Sequence, residues 1–321
     1  METILSIADG QCARSNLCQL DTTVGQDEKT PSQKDIPMTS AATKPVRLGL
    51  IGDNIEQSKS PLLHRTAGEL AGLDVTYDLL IPKDMGLSFD EVFAQARVSG
   101  FHGINITYPY KEVVTSKVTV LDPFVRGIGA VNTVVFDADG PKGFNTDYTG
   151  FMNAYRFVRG KKPPGVVCLI GTGGVGKAVA FGLIGLGAQA IHCLDLDPVK
   201  AAGLSDALVA LGSQTRIEVF GDAVDAVEGA DGIINCTPLG MVGIGGSPLP
   251  AYAMQEAAWV FDAVYTPVDT QFLGDALRAG LTVISGFELF LGQGGDAWKI
   301  FTGIEIDHTA LRVAITAQNM G

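Results

Sequence analysis

The sequence predicts an α/β fold built in two halves, the second of them a doubly wound parallel sheet with helices on both faces. From Val46 onward, short apolar runs that favour β-strands alternate with stretches of helical periodicity, a pattern typical of mainly parallel sheets. The chain also carries 40 glycines among 321 residues, mostly beside those apolar runs, as tight turns between strands and helices require. No internal repeat of solenoid length is apparent.

In the first half, four apolar runs predict strands and three periodic stretches predict helices. The strands are expected at residues 46–51, 76–81, 103–106 and 131–136. The helices are expected at residues 61–71, 89–96 and 111–119. Pro61 favours a helix start at that point, because its fixed φ suits the first turn and its missing N–H would have no partner there.

The second half repeats the alternation more regularly. Its strands are expected at residues 166–170, 190–195, 217–220, 232–235, 259–262 and 281–284. Helical patterns separate them, the clearest at 177–186. A sheet of strands joined in this way has helices on both faces, so this half predicts a doubly wound domain.

Charge and hydropathy argue against nucleic acid and against a membrane as partners. The chain has 23 Lys and Arg against 35 Asp and Glu, a formal charge of −12, whereas a nucleic-acid surface needs clustered basic residues. We find no apolar stretch long enough to span a bilayer, and the N-terminal segment carries Glu2 and Asp9 instead of a basic region followed by an apolar core. We therefore expect a cytoplasmic protein that binds neither nucleic acid nor membrane.

The remaining compositional signals concern the N-terminal segment, the cysteines and the histidines. Residues 1–44 are polar and lack periodicity, so we expect a disordered tail, with Met1 and Met38 both open as start sites. The five cysteines are odd in number and have no metal-ligand spacing, which is typical of reduced thiols in the cytoplasm. The four histidines do not cluster in the sequence, so we expect no metal site.

A glycine-rich turn opens the second half, between an apolar strand and a helical pattern. Such a turn brings backbone N–H groups and a helix N-terminus to a diphosphate, so it predicts a dinucleotide site. A turn that serves packing alone is the weaker alternative, because strand, turn, helix and a later acidic residue all stand in order. The residues of the turn are Gly171, Thr172, Gly173, Gly174, Val175 and Gly176.

Asp195 is that acidic residue, at the end of the next predicted strand. A carboxylate there accepts hydrogen bonds from the adenosine ribose and repels a 2′-phosphate by roughly 4 kcal/mol at 4 Å and an effective dielectric of about 20. This favours NAD over NADP, although Lys200 lies close enough to supply some positive charge. Asp197, followed by Pro198, is explained as a helix N-cap.

Polar residues of the first half stand at strand ends and helix starts. Ser58 and Ser60 are two residues apart, on one side of an extended segment before the helix that Pro61 opens, where hydroxyls and helix dipole suit a carboxylate. Lys111 near a helix N-terminus is unexplained by helix stability. The alternatives that remain are an N-cap for Ser60, a solvated surface position for Lys111 and a helix cap for Asp147.

Taken in order, these segments resemble the shikimate and quinate dehydrogenase family over nearly everything from Leu48 to Gly303. The matching motifs are S-x-S-P-x-x-H at 58–64, N-x-T-x-P-x-K at 105–111, A-V-N-T at 130–133, N-T-D at 145–147, G-x-G-G-x-x-K-A at 171–178, N-x-T-P-x-G-M at 235–241 and D-A-V-Y-T-P at 262–267, then Gly286, Gln293 and F-T-G at 301–303.

The resemblance implies a reaction and a role for individual residues. It implies reversible oxidation of shikimate, and also of quinate, at C3 with a nicotinamide cofactor, NAD rather than NADP. Lys111 and Asp147 would be the acid–base pair, with the formal base undecided. Ser58 and Ser60 would hold the substrate carboxylate, with Tyr265 nearby. The remaining residues on the substrate side are Asn105, Thr107, Asn132 and Gln293, and those on the cofactor side are Thr237, Met241 and Gly286.

The resemblance also implies a domain plan. A substrate domain at 45–147 would be followed by a dinucleotide-binding Rossmann domain at 148–286, and the C-terminal residues 287–321 would pack back on the first. Two points differ from the common family pattern: no arginine follows Asp195, which suits NAD, and Phe301 leads the last motif where a tryptophan is common.

Two alternatives remain open at this point. One is a non-catalytic quinate or shikimate sensor on the same fold, against which the intact Lys111 and Asp147 pair argues. The other is a related dehydrogenase of the aminoshikimate type. The choice between shikimate and quinate and the oligomeric state, a homodimer included, also stay open.

Overall fold

The computed structural model describes residues 45–319, whose first half is built on one mixed sheet. The order of its strands is β2-β1-β3-β4-β5. β1 pairs parallel with β2 and β3, whereas β3–β4 and β4–β5 are antiparallel. The strands are β1 Val46–Ile51, β2 Val75–Leu80, β3 Gly103–Ile106, β4 Thr133–Asp137 and β5 Gly140–Phe144.

Four helices accompany this sheet: α1 Ser60–Ala71, α2 Pro82–Met85, α3 Phe89–Val98 and α4 Pro123–Ile128. The next helix, α5 Thr146–Arg159, follows β5 and packs through Phe151 and Tyr155 on the core of the second half. Proline stands in the first turn of α1, α2 and α4, as its fixed φ favours. The predicted helix at 111–119 is wrong in type: the structure has only a short 3₁₀ turn, Val113–Lys117, there.

The second half is the predicted doubly wound sheet, and all its strand pairs are parallel. The strand order is β11-β10-β9-β6-β7-β8. The strands are β6 Val166–Ile170, β7 Ala190–Leu194, β8 Arg216–Phe220, β9 Gly232–Asn235, β10 Trp259–Asp262 and β11 Thr282–Ile284. The helices are α6 Gly174–Gly185, α7 Pro198–Val209, α8 Ala223–Val227 and α9 Gln271–Arg278, with a 3₁₀ turn at Ala251–Met254.

Each face of the second sheet carries its own apolar core. On one face Leu169 and Phe261 pack with Phe181 of α6, and on the other Ile233 packs with Phe272 of α9. These side chains are fully buried. Both faces of the strands are therefore covered, as near-continuous apolar runs require in a parallel sheet.

After β11 the chain returns to the first half through α10 Gly286–Thr302 and α11 His308–Asn319. Trp298 of α10 packs in one buried cluster with Leu63 of α1 and Leu311 of α11. α10 also crosses α5 closely, since a Cβ on Gly150 would lie 2.5 Å from the backbone nitrogen of Gln293. The last helices thus tie the two sheets together within one compact unit.

The N-terminal segment expected to be disordered, residues 1–44, lies outside the described residues, as do Cys12 and Cys18. Within residues 45–319, the helices are too short or too polar to cross a membrane.

Candidate active site

Lys111 and Asp147 meet at the edge of the first sheet. The ammonium Nζ of Lys111 donates a hydrogen bond to Asp147 Oδ2 over 2.6 Å. The two side chains are only 18% and 10% exposed. Lys111 is therefore not a solvated surface lysine, and the two groups share one largely water-shielded position.

Local structure explains how Asp147 is presented there. Asn145 is the N-cap of α5: its side chain accepts hydrogen bonds from the backbone N–H groups of Asp147 and Tyr148. The amide of Asn145 also donates to the carbonyl of Ala130, over 3.0 Å. The cap role considered for Asp147 thus belongs to Asn145, and the Asp147 carboxylate in the first helical turn is free to face Lys111.

A buried cluster of amides and hydroxyls lies beside this ion pair. Asn132 Oδ1 accepts from the backbone N–H of Thr146 at 2.8 Å, and its Nδ2 donates to the Thr146 hydroxyl at 3.1 Å. That hydroxyl lies 3.5 Å from Gln293 Oε1. Asn105 donates through Nδ2 to Thr133 Oγ1 at 3.0 Å. The predicted residues Asn105, Asn132 and Gln293 are therefore brought together by two threonines.

Tyr77 connects Asn105 to the predicted carboxylate-binding segment. Its hydroxyl donates to Asn105 Oδ1 over 2.8 Å and has the Ser60 side chain as a second partner. Ser58 Oγ accepts from the Ser60 backbone N–H at 3.2 Å. Lys59 is the N-cap of α1, so the cap role considered for Ser60 is wrong: Ser60 is the first helical residue. Ser58 and Ser60 thus stand at the start of α1, with their hydroxyls partly exposed.

Two further predicted substrate residues are Thr107 and Tyr265. Thr107 is partly exposed, and its backbone N–H donates to the carbonyl of Ile51 just past the end of β3. Tyr265 stacks on Phe290 of α10, with ring centroids 5.3 Å apart. Gln293 lies one helical turn further along α10 and donates to the carbonyl of Phe290. α10 therefore carries the partners of both Tyr265 and the amide cluster.

The glycine-rich turn fits a diphosphate. Gly171 has φ +94°, and a Cβ on Gly176 would lie 2.0 Å from the carbonyl oxygen of Gly171, so both positions demand glycine. A Cβ on Gly173 or Gly174 would meet nothing within 4 Å. Tight turn, close packing and an open backbone surface at the N-terminus of α6 are the three features that a dinucleotide pyrophosphate needs.

Asp195 follows β7 and faces this turn. Its Oδ2 accepts hydrogen bonds from the backbone N–H of Thr172 at 2.7 Å and from the Thr172 hydroxyl at 2.9 Å, and its Oδ1 accepts from the Asp197 N–H at 2.9 Å. Burial raises the pKa of Asp195, but these hydrogen bonds and the charge of Lys200 outweigh it, so the pKa lies below its usual value. Asp197 caps α7, ahead of Pro198, as predicted.

The other residues expected on the cofactor side are Thr237, Gly286 and Met241, and the first two have local structural roles. The Thr237 hydroxyl donates to Asn235 Oδ1 at 2.7 Å. Gly286 is explained by packing, because a Cβ there would lie 2.6 Å from the carbonyl oxygen of Val264. Met241 is 43% exposed, with a side chain available to a ligand. Their roles toward a cofactor stay predictions.

The turn and the ion pair approach each other across the two halves. Glu112, next to Lys111, accepts a hydrogen bond from Lys177 Nζ of α6 at 2.8 Å. The Cys236 thiol at the end of β9 has its pKa raised, mainly by burial and also by the nearby carboxylates of Asp262 and Asp147. The first turn of α6 and the end of β9 therefore lie close to Lys111 and Asp147.

Sequence reasoning missed Tyr77, Thr133, Thr146 and the Glu112–Lys177 pair as members of this site. Thr146 sits inside the N-T-D motif, so its position was a usable signal. Tyr77 was not recoverable, because it reads as one apolar position of an alternating strand. As for metals, among residues 45–319 we find no group of three His, Cys, Asp or Glu side chains able to hold an ion.

Comparison with known proteins agrees with this geometry. Residues 50–134 match the family model for the shikimate dehydrogenase substrate binding domain. A quinate/shikimate dehydrogenase (NAD(+)) of Corynebacterium efficiens is 36% identical over 273 residues, 83% of this chain and 96% of the relative. A shikimate dehydrogenase (NADP(+)) of Pseudarthrobacter chlorophenolicus is 36% identical over 279 residues, 85% and 95% of the two chains.

The fold is shared as well as the sequence. The structure of quinate dehydrogenase from Corynebacterium glutamicum in complex with NAD superposes with a TM-score of 0.77 at 33% identity, covering 85% of this chain and 99% of that one. Together with the contact of Lys111 and Asp147, these matches identify the chain as a member of the shikimate/quinate dehydrogenase family of oxidoreductases.

Proposed function

We propose that this protein oxidises the C3 hydroxyl of shikimate, and of quinate, reversibly to the 3-dehydro acid with NAD as cofactor. The observation that carries the proposal is the 2.6 Å pair of Lys111 and Asp147, which is largely shielded from water. Glu112, next to Lys111, contacts Lys177 of the helix that the glycine-rich turn precedes. A sensor without activity has no use for the pair of Lys111 and Asp147, because recognition of hydroxyls needs no proton transfer.

The pair supplies what the oxidation of an alcohol needs besides a hydride acceptor. When bound, the nicotinamide ring supplies that acceptor. The C3 hydroxyl must lose its proton as the carbinol carbon loses its hydride, so a base must reach that oxygen. The Lys111–Asp147 pair is that base: Lys111 takes up the proton of the C3 hydroxyl while passing one of its own protons to Asp147, which then releases it to solvent. The Lys111 ammonium also donates a hydrogen bond to the alkoxide-like oxygen. In the reverse direction the same two groups return the proton to the ketone oxygen.

The neighbouring polar groups suit the rest of a polyhydroxylated acid. Ser58 and Ser60, at the start of α1, would donate to the carboxylate, which a helix N-terminus also favours. Asn132, Gln293 and Thr107 offer donors and acceptors for ring hydroxyls. Asn105 spends its amide mainly inside the protein, so we assign it to holding Asn132 and its neighbours.

For the cofactor we propose NAD. The glycine-rich turn would hold the pyrophosphate and Asp195 the adenosine ribose, with Thr237, Met241 and Gly286 on the nicotinamide side. The lowered pKa of Asp195 keeps its carboxylate ionised at neutral pH, so a 2′-phosphate beside it is repelled. Relatives with either cofactor preference exist, which makes this the point to measure first.

An initial-rate matrix tests the proposal, with shikimate and quinate each assayed against NAD and NADP by the absorbance of the reduced cofactor. We expect turnover with NAD on at least one acid and an efficiency at least about tenfold lower with NADP, well within the roughly 4 kcal/mol of charge repulsion. Equal efficiency with NADP would refute the cofactor assignment. No turnover with either acid would refute the substrate assignment.

The role of the ion pair is tested with Lys111→Met, which keeps an unbranched side chain without the terminal amine and so removes the charge. We expect kcat to fall by about 10²–10⁴, the range of general acid–base catalysis. Lys161→Met, at an exposed lysine, is the matched control and should leave kcat unchanged. NADH binding, measured by fluorescence, should be retained in both variants; a Lys111→Met enzyme of normal kcat contradicts the mechanism.

The organisation of the chain is part of the proposal. We propose a substrate domain at 45–147, with 287–321 packing back on it, and a Rossmann domain at 148–286. The packing of α10 and α11 on α1 supports the return of the C-terminal residues. We further propose a cytoplasmic enzyme, and leave open whether it forms a homodimer.

A further inference from the structure

The Thr172 side chain has a contact that its place in the glycine-rich turn does not require. It is completely buried, and its hydroxyl donates to Asp195 Oδ2 at 2.9 Å. Burying a hydroxyl costs free energy unless the hydroxyl is hydrogen-bonded. If this position served only the turn or the packing, Ala or Val would therefore serve as well as Thr. The hydroxyl at this position therefore serves Asp195.

Together, three donors fix the orientation of the Asp195 carboxylate. Oδ2 receives both the hydroxyl and the backbone N–H of Thr172, and Oδ1 receives the N–H of Asp197. An ionised carboxylate has about four acceptor positions, so these bonds leave one, on Oδ1. The positive charge of Lys200 also favours the ionised carboxylate. The carboxylate is thus held ionised in one rotamer, with its remaining acceptor position defined.

A fixed charge discriminates better than a mobile one. A carboxylate that can rotate is able to turn away from an incoming phosphate and be solvated instead, which weakens the repulsion. A carboxylate held at both oxygens has no such escape, and it meets the ribose hydroxyl without first losing rotamer freedom.

We infer that Thr172 is a specificity-determining residue, whose hydroxyl orients the Asp195 carboxylate to accept from the ribose of NAD and to repel the 2′-phosphate of NADP. The inference rests on the cofactor assignment proposed above. Thr172 acts through Asp195, so it is a positioning residue.

The test is a fluorescence titration of NADH and NADPH binding, which requires no substrate. Thr172→Val keeps the branched shape and the backbone N–H and removes only the hydroxyl. Because a hydrogen bond to a charged group is lost while its neighbours remain, we expect the Kd for NADH to rise roughly tenfold and the preference for NADH over NADPH to fall by a similar factor. Thr172→Ser should restore the preference of the wild type.

Two controls separate this role from a structural one. Thr215→Val removes a comparable hydrogen bond, from Thr215 Oγ1 to the carbonyl of Ala188, away from the turn and should leave both Kd values unchanged. In an Asp195→Asn background, Thr172→Val should produce no further loss of preference, because the charge it orients is already gone. The thermal midpoint of each variant, measured without ligand, shows whether folding is retained.

The outcomes are distinct. If the wild type favours NADH and the Thr172→Val variant keeps the same preference, this inference is overturned and the cofactor assignment stands. Wild type that favours NADPH would overturn both the inference and the cofactor assignment. An additive loss of preference for Thr172→Val in the Asp195→Asn background would also overturn the inference, since Thr172 would then act on the cofactor without Asp195.

Discussion

The His64 imidazole lies beside the substrate residues but entirely out of water. Its ring stacks on Tyr77, with centroids 5.0 Å apart and an interplanar angle of 7°. Among the described residues, its Nδ1 has no hydrogen-bond partner. Burial lowers the pKa of His64 from 6.5 to about 3, and a hydrogen bond with Asn105 only partly offsets this. His64 is therefore a neutral part of the wall behind Asn105.

This burial predicts a pH dependence of stability. Below pH 6.5 the unfolded chain binds a proton at His64 and the folded one does not, so the free energy of unfolding falls as pH drops, until about pH 3. The slope is about 1.4 kcal/mol per pH unit. Between pH 7.5 and pH 5, the proton uptake of His64 in the unfolded chain should thus lower the free energy of unfolding by about 2 kcal/mol.

Urea unfolding of the wild type and of His64→Gln at pH 7.5 and pH 5 measures this contribution. Glutamine does not titrate, so the variant should lose about 2 kcal/mol less than the wild type over that interval. The comparison of slopes remains valid even if the substitution lowers stability at both pH values. Equal losses in the two proteins would show that His64 is not the source.

At the residue scale, the pairing of Lys111 and Asp147 came from the motifs that carry the family resemblance. Taken alone, the two residues left a surface lysine and a helix cap open, and their contact is what the structure adds. Tyr77 could not be assigned in this way. It reaches Asn105 because β2 and β3 flank β1, and this order places two residues 28 positions apart on the strands at either side of β1. Strand order is a tertiary property that periodicity does not encode.

The same limit applies to whole elements. β5 was missed because Gly140, Pro141 and Gly143 have low strand propensity; pairing with β4 is what makes this segment a strand. α5 was missed although it carries Asp147. Gly150 stands in its middle, where glycine costs roughly 1 kcal/mol of helix propensity relative to alanine. The reason for that glycine lies on another helix, because α10 crosses at this point.

The crossing predicts the effect of Gly150→Ala. A Cβ at Gly150 would lie 2.5 Å from the backbone nitrogen of Gln293 and 2.8 Å from its Cα, and backbone cannot move aside as a flexible side chain does. α10 must then shift away from α5, which separates Gln293 from Thr146. We expect a loss of about 1–3 kcal/mol in stability, as for other overpacked sites, and a raised KM for the acid.

Gly203→Ala in α7 is the matched control. A Cβ there meets nothing within 4 Å, so alanine should be neutral or should stabilise by up to about 1 kcal/mol through its higher helix propensity. Denaturant midpoints and the KM values of both variants are the measurements. If Gly150→Ala behaves like Gly203→Ala, the close crossing is not what positions Gln293.

At the scale of the whole molecule, the alternation of strands and helices predicted the two halves and their order along the chain. The same alternation does not predict which surfaces of the two halves contact each other. The contact of Glu112 with Lys177 joins residues 65 positions apart, one next to Lys111 and the other in the first turn of α6. Each is unremarkable in sequence, and only the packed molecule makes them a pair.

This pair bridges the segment that carries the proposed acid–base lysine and the helix of the dinucleotide turn, so we expect it to favour a closed cleft. The pair is solvent-exposed: the Lys177 side chain is 30% exposed and that of Glu112 62%. Exposed ion pairs contribute up to about 1 kcal/mol of free energy to the conformation that they bridge. Glu112→Gln and Lys177→Gln should each raise the KM values for acid and cofactor up to about fivefold at low salt. At 1 M salt, where the Debye length is about 3 Å, the effect of Glu112→Gln should largely vanish.

The double variant decides between an ion pair and two separate roles. Lys177 stands one turn from the glycine-rich loop, so it could also act directly on the cofactor phosphates. If the pair is what matters, Lys177→Gln changes little once Glu112 is already Gln, and the double variant resembles either single one. If Lys177 binds phosphate itself, its substitution still raises the cofactor KM in the Glu112→Gln background. That result would remove the pair as a closing contact, because the two charges would then contribute independently.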